Sequence, residues 1–259
     1  MCPSTNIYAQ AEQDSLAEAK GEAAGDDPSQ FFTRVELFNE FQHHHGDINL
    51  NQSTLRTIVQ IGKRFTTRLD IPVVYNSFSS QKGYYQFGIG DNSFRILGYK
   101  IIQSAKSVLT ASIECSLNTA RSPLLGTGKN MIIPVITYTD VLNKKNLLAF
   151  VLQQVKAFSG DKTRDDVSFS KLQVIMINTW SKKMWTVLAA TCYVDYVKGG
   201  ASMNLEGRLA YASSPRVNFW AQAGTGIFGD FVLHYQWSIQ LGYRYFLFRK
   251  ATLNARRKV

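Results

Sequence analysis

The sequence contains no run of about 18 consecutive apolar residues, so no transmembrane α-helix is available. Cysteine is scarce as well. Cys2, Cys115 and Cys192 are too few and too far apart in the sequence to form a disulfide framework. Charged residues make up 19% of the chain, below the roughly 25% of soluble proteins. The mean hydropathy of -0.14 does not exclude a membrane barrel, since half of each barrel strand is polar.

The formal net charge of +10 raises nucleic acid as a partner, but the placement of the positive residues argues against it. Pairs such as Lys63-Arg64 and Lys144-Lys145 fall in short turns, and five more positive residues lie in the tail from Arg249 to Lys258. No recognition helix or base-stacking platform is evident. The sequence therefore predicts no nucleic-acid partner.

The last regular stretch, residues 235–248, alternates between two kinds of side chain. One set is apolar or aromatic, namely Tyr235, Trp237, Ile239, Leu241, Tyr243, Tyr245 and Leu247. The other set is Gln236, Ser238, Gln240, Gly242 and Arg244. A period of two indicates a β-strand, and an apolar face opposite a polar one is typical of a strand that crosses a membrane.

The same period continues from Phe31 to Phe248 and divides into about twelve strands. Short turns, such as residues 63–65, alternate with longer connections, such as residues 43–49. This asymmetry predicts an all-β fold, a transmembrane antiparallel β-barrel in the outer membrane of a Gram-negative bacterium, with both termini in the periplasm. A soluble β-sandwich is the structural alternative, but its strands would be shorter.

Three regions follow from this division. Residues 1–30 are predicted to be a flexible leader, residues 31–248 the barrel, and residues 249–259 a basic periplasmic tail. Ala9-Gln10-Ala11 is either a remnant of a secretory signal peptide or a chance match in a disordered leader. Cys115 and Cys192 fall on predicted outward faces, where they would contact lipid.

The predicted inward faces carry charges of both signs. We interpret them either as a field that selects solutes or as paired charges that fill the lumen and fix the strand register. These candidate lumen-lining residues are Arg34, Glu36, Glu40, Arg56, Arg68, Asp70, Asp91, Arg95, Glu114, Lys171, Asp195, Glu206, Arg208 and Arg244.

Other motifs give weaker indications of function. His43-His44-His45 is expected in a solvated external loop, because three consecutive residues of an extended chain cannot face one metal ion. Residues 224–229 spell G-x-G-x-x-G, but the helix that a dinucleotide site needs is not predicted after them. His234 and Ser238 share a face, roughly 13 Å apart along a strand, beyond hydrogen-bond reach. We therefore predict no metal site, no cofactor and no enzymatic activity.

Two short stretches, Gly88-Ile-Gly90-Asp91 and Leu125-Gly-Thr-Gly-Lys129, resemble in order and spacing the outer-membrane barrels associated with meta-pathway phenol degradation. The resemblance implies a barrel that passes small, often apolar organic solutes. The closing pattern Gln240-x-Gly242-x-x-Tyr245-x-Leu247 resembles the C-terminal signal that barrel-assembly machinery recognises, although a basic tail follows it here.

The predicted function is therefore passive passage of small solutes, hydrophobic ones included, and the predicted partners are outer-membrane lipids, the assembly machinery and those solutes. Two alternatives remain open. One is an outer-membrane hydrolase that modifies lipid, which would need a cross-strand serine and histidine pair. The other is a closed structural barrel whose lumen is filled by salt bridges.

Overall fold

The computed structural model describes residues 25–45, 48–78, 85–104, 106–122, 124–229 and 235–247. Within these ranges no helix is long and apolar enough to cross a membrane. The described residues form thirteen strands: β1 (Arg34–His44), β2 (Ile48–Ile61), β3 (Phe65–Phe78), β4 (Tyr85–Ile89), β5 (Ser93–Gln103), β6 (Ser107–Ser116), β7 (Lys129–Val141), β8 (Asn146–Gly160), β9 (Ser168–Thr179), β10 (Met184–Asp195), β11 (Ala201–Ser214), β12 (Val217–Phe228) and β13 (Trp237–Phe246).

The strands close into a ring, because β13 pairs with β12 on one side and with β1 on the other. All pairings are antiparallel. Both β4 and β5 pair with β3, so these two short strands together occupy one position in the ring. The barrel therefore has twelve strand positions, which confirms the predicted fold.

The two faces of the barrel wall differ as the period of two requires. Leu241, on the outward face of β13, is 60% exposed, whereas its neighbours Gln240 and Arg244 on the inward face are buried. Large apolar side chains are exposed on the outward face of the strands all around the ring. Such a continuous apolar exterior is stable only against lipid, so the barrel spans a membrane.

Aromatic pairs on the outward face mark both ends of the barrel. Phe219 packs on Tyr243, with ring centroids 5.4 Å apart, close to the chain end of β13. At the opposite end Phe41 packs on Trp237 at 5.3 Å. These two levels match the aromatic girdles that membrane barrels place at the lipid–water interfaces.

The barrel has a turn end and a loop end. The turn end carries the start of β1, the end of β13 and the short connections at 62–64, 104–106, 142–145, 180–183 and 215–216. The loop end carries the other connections, of which residues 117–128 form the longest. One prediction is wrong here. Residues 43–49 are not all loop, because β1 continues to His44 and β2 begins at Ile48.

A further unexpected feature of the barrel wall is the interruption between β4 and β5. Gly90, Asp91 and Asn92 leave the sheet between the two strands. The amide of Gly90 still donates to the carbonyl oxygen of Pro72 on β3 at 2.9 Å, which holds the wall together across the break. Pro72 donates no hydrogen bond of its own and so fits beside the unpaired segment.

Candidate functional site: the barrel lumen

The structure places most of the predicted lumen residues on inward strand positions. The register pairs Glu36 with Arg56 and Arg244, and it pairs Arg95 with Glu114. We call the inward faces of β1, β2, β3, β5 and β6 the charged wall. The inward strand residues among the candidates are Arg34, Glu36, Glu40, Arg56, Arg68, Asp70, Arg95, Glu114, Lys171, Asp195, Glu206, Arg208 and Arg244.

Glu36 is the centre of one part of the charge network. Its carboxylate accepts hydrogen bonds from Nε of Arg34 and from Nε of Arg244, each at 2.7 Å. Arg56 approaches the other carboxylate oxygen at 3.9 Å. One buried carboxylate thus joins arginines from three adjacent strands.

The network continues along the charged wall from β2 to β6. Asp70 accepts from Nε of Arg56 at 2.8 Å and lies 3.3 Å from Nε of Arg68. Glu114 binds Arg68 at 2.6 Å and Arg95 at 2.8 Å. Each acid bridges two arginines on neighbouring strands, so the pairs also fix the register of those strands.

The other candidates make different contacts. Glu40 accepts from the amides of Gln42 and Gln240 at 2.8 and 3.2 Å, and Glu206 accepts from the hydroxyl of Tyr235 at 2.7 Å. The ammonium group of Lys171 lies 5.9 Å from the ring centroid of Tyr193. These side chains therefore lie within the lumen outside the arginine network.

Asp195 lies at the loop end, where its carboxylate accepts from the backbone amides of Val197 and Lys198 at 2.8 and 3.3 Å. Lys198 in turn reaches Asp165 at 2.7 Å, across the loop end. The hydrogen bond and the charge of Lys198 lower the pKa of Asp165, and the same contact raises the pKa of Lys198. Asp195 thus orders a connection at the loop end.

Opposite the charged wall, the inward faces of β7 to β10 are mainly apolar, with polar side chains such as Gln153, Lys171 and Gln173 among them, and we call this side the apolar wall. Near the turn end Ile177, Trp185 and Val187 pack together, and near the loop end Val155 packs with Phe169. The sequence analysis did not predict this asymmetry. In the sequence, this asymmetry corresponds to residues 131–140 and 147–156, which are apolar on both faces. One face of each strand contacts lipid and the other lines the lumen.

Residues 25–33, the inner segment, precede β1 and lie within the lumen. The carboxylate of Asp26 accepts from Arg208 at 2.6 Å, from Arg244 at 3.1 Å and from the indole nitrogen of Trp185 at 2.6 Å. Phe31 contacts the opposite side, where the ammonium of Lys100 lies 4.9 Å from its ring centroid. The inner segment therefore crosses the lumen from β5 toward β10, β11 and β13.

The two glycine-rich motifs singled out in the sequence contact each other. Asp91 accepts hydrogen bonds from the backbone amide of Thr127 at 2.6 Å, from its hydroxyl at 2.8 Å and from the amide of Ala120 at 3.2 Å. A side chain at Gly90 would meet Leu125 in the same loop. The break between β4 and β5 thus fixes residues 117–128 against the inner wall, which restricts the lumen at the loop end.

Replacing Asp91 with alanine should release this loop. Three hydrogen bonds are lost, and bonds to a charged acceptor are each worth about 1.5–3 kcal/mol. We expect tryptic cleavage after Arg121, within the loop, to accelerate at least about tenfold in the folded barrel. Asp195→Ala is the matched control, because it removes a similar cap from another connection. Equal cleavage after Arg121 in both variants would contradict the role of Asp91.

A chamber of about 810 Å³ lies along the charged wall between the inner segment and the 117–128 loop. Arg56, Arg68 and Arg95 face it from one side. Val151 and Ile175 of the apolar wall face it from the other. The volume is within the range of pockets that hold small organic molecules.

The remaining sequence motifs acquire no chemical role in the structure. The described residues hold no group of three or more His, Cys, Asp or Glu side chains that could bind a metal ion. Gly224 and Gly226 lie within β12 and are followed by further strand. Cys115 and Cys192 lie on outward strand positions, as predicted. His234 is outside the described residues, so its relation to Ser238 stays untested.

Solved structures with the same architecture are outer-membrane barrels. An outer membrane channel from Pseudomonas putida F1 superposes with a TM-score of 0.67 at 14% identity, over 83% of this chain and 95% of that one. The fold is that of the outer-membrane β-barrels. The NanC porin gives 0.59 at 10% identity, over 83% and 100% of the two chains. Outer membrane phospholipase A from Escherichia coli gives 0.51 at 11%, over 83% and 92%. No family model and no curated protein sequence matches the chain.

Proposed function

We propose that the protein carries small solutes passively across the outer membrane of a Gram-negative bacterium. The observation that carries this proposal is the chamber inside a closed barrel with an apolar exterior. Its polar lining offers hydrogen-bond partners to a solute that leaves water. Two of the superposable proteins are described as a channel and a porin, which supports the same function.

The inner segment and the 117–128 loop narrow the lumen and so restrict the passage of solutes. The test is single-channel recording of the refolded full-length protein in planar bilayers. Stable conductance steps are expected, and a barrel that inserts but never conducts would contradict an aqueous route. Folding is verified independently by the resistance of the folded band to unfolding in detergent at room temperature, and membrane insertion by co-flotation of the protein with lipid vesicles.

Asp26→Asn should raise the conductance. The substitution removes the charge that holds the inner segment to Arg208 and Arg244, while the indole hydrogen bond from Trp185 can still form. We expect a mean single-channel conductance at least about twofold higher, because the charge-assisted bonds are worth about 1.5–3 kcal/mol each. Glu40→Gln, which leaves the inner segment untouched, serves as the control. An unchanged conductance in Asp26→Asn would mean that the inner segment does not limit the current.

We further propose the finer assignments that the sequence suggests. The charged residues of the lumen set selectivity and also fix strand register through their pairs. The link with the barrels of meta-pathway phenol degradation rests on the two glycine-rich motifs that meet at Asp91 and Thr127. Recognition by the barrel-assembly machinery through β13, the leader of residues 1–30 and the basic tail of residues 249–259 remain proposals of the same kind.

A lipid-modifying hydrolase is the second candidate function. The supporting observation is the superposition on a phospholipase at a TM-score of 0.51. This candidate predicts release of fatty acid from phospholipid vesicles by the refolded protein, abolished by Ser238→Ala. A closed structural barrel, the third candidate, predicts neither hydrolysis nor conductance.

A further inference from the structure

The charge network presents its positive side to the chamber. Within the described part of the chain, the arginine ion pairs join six guanidinium groups to four carboxylates, but Asp27, Glu40 and Asp91 also line the chamber, so its lining holds no surplus of positive charge. Each carboxylate is shared by at least two arginines, so none retains a free charge of its own. The arginines are Arg34, Arg56, Arg68, Arg95, Arg208 and Arg244, and the acids are Asp26, Glu36, Asp70 and Glu114.

Exposure, and not an excess of charge, decides which groups of the network a solute meets. The side chains of Arg56, Arg208 and Arg95 are 29%, 22% and 19% exposed. The four carboxylates are 3–9% exposed. A solute in the chamber therefore meets guanidinium groups, whose planar N–H donors match a carboxylate. Glu40, Asp27 and Asp91 also line the chamber, but each is held by neutral partners. Glu40 accepts from two amides, Asp27 from Ser29, and Asp91 from Ala120 and Thr127.

The opposite side of the chamber has a different chemistry. Val135, Val151 and Ile175 line it from β7, β8 and β9, beside the uncharged polar side chains of Thr137, Gln153 and Gln173. In a ring of twelve positions, β8 and β9 lie across from β1 and β2. An occupant can thus place a charged group on the arginines and an apolar body on the valines and isoleucine at the same time.

We infer that the chamber selects small organic anions, namely carboxylates that carry an aromatic or aliphatic body. This inference rests on the proposed function and names its substrate class. Inorganic anions and acetate satisfy only the arginine side, and neutral apolar solutes satisfy only the other side. Organic cations are repelled by the arginines that face the chamber.

The test uses the full-length protein in planar bilayers under a tenfold gradient of KCl. The reversal potential should show chloride permeating several-fold better than potassium. Benzoate at millimolar concentration should reduce the chloride current, whereas acetate and benzylammonium at the same concentration should leave it within about a fifth of its starting value. A preference for potassium, or equal block by benzoate and benzylammonium, would overturn the inference.

Two variants separate the two sides of the chamber. Arg95→Gln removes one guanidinium group and leaves Glu114 paired with Arg68, so Glu114 keeps a cationic partner. It should lower the chloride preference at least about twofold. Val151→Thr should weaken block by benzoate several-fold without changing the chloride preference. Val155→Thr, on the same face of β8 but outside the chamber, is its matched control and should change neither.

A conducting protein without selectivity would refute the inference and leave the proposed function standing. A protein that does not conduct would refute the proposed function, and the substrate class is then tested by binding alone. The ¹⁹F resonance of 4-fluorobenzoate should broaden with the wild-type barrel in nanodiscs and less with Arg95→Gln. Equal broadening in both would refute the anion site.

Discussion

Replacing Glu36 with glutamine should destabilise the barrel more than any other single lumen substitution that keeps the side-chain volume. The change removes the carboxylate that Arg34 and Arg244 both contact at 2.7 Å, and it leaves Arg244 with Asp26 at 3.1 Å as its remaining acid. Their side chains are 11% and 3% exposed, so water cannot replace the lost partner. Removing one member of a buried ion pair costs about 3–5 kcal/mol. Arg56 contributes less to this loss, because it is more exposed and keeps Asp70.

The measurement is urea unfolding of the barrel in lipid vesicles, followed by tryptophan fluorescence. The midpoint should fall by more than about 1 M, given a slope of about 1–3 kcal/mol per molar urea. Glu40→Gln is the matched control, since Glu40 lies on the same face of β1 and accepts its hydrogen bonds from the neutral amides of Gln42 and Gln240. Its midpoint should change little. Similar shifts in the two variants would show that the arginine pairs add nothing specific.

The sequence was sufficient to predict the barrel and, for the strands that alternate clearly, which side faces the lumen. In β13 the alternation from Trp237 to Phe246 places every side chain as expected, because the period of two is a property of the backbone itself. The short turns also follow from local composition. Charged inward positions such as Glu36 and Arg56 can therefore be predicted from the sequence, although their partners cannot.

The partners themselves could not be derived, because they depend on ring closure. Arg244 meets Glu36 only because β13 closes against β1, about two hundred residues earlier in the chain. Asp26 lies in a stretch rich in Ala, Gly and Asp, whose composition predicts a flexible leader. Its position in the lumen is set by Arg208, Arg244 and Trp185. Contacts between residues so far apart in the chain cannot be predicted from the local sequence.

The other large effect should come from Gly242→Ala, on the inward face of β13. The indole ring of Trp220 lies across this glycine, and a methyl group there would overlap the ring. The ring is 5% exposed, and the guanidinium carbons of Arg244 and Arg208 lie 4.9 and 5.3 Å from its centroid. Its nitrogen donates to Gln240 at 2.9 Å. Displacing the ring should cost about 2–4 kcal/mol, from overpacking and the lost cation–π contacts.

Gly207→Ala is the matched control for this prediction. Gly207 lies on the outward face of β11, and the nearest atom to an added methyl group belongs to Leu188 at 3.7 Å. The unfolding free energy of the Gly207→Ala variant should stay within about 0.5 kcal/mol of that of the wild type. A double-mutant cycle then isolates the contact. In a Trp220→Leu background the smaller side chain leaves room for the methyl group, so Gly242→Ala should cost far less there. An equal cost in both backgrounds would mean that the glycine is required by the backbone of β13 and not by the tryptophan.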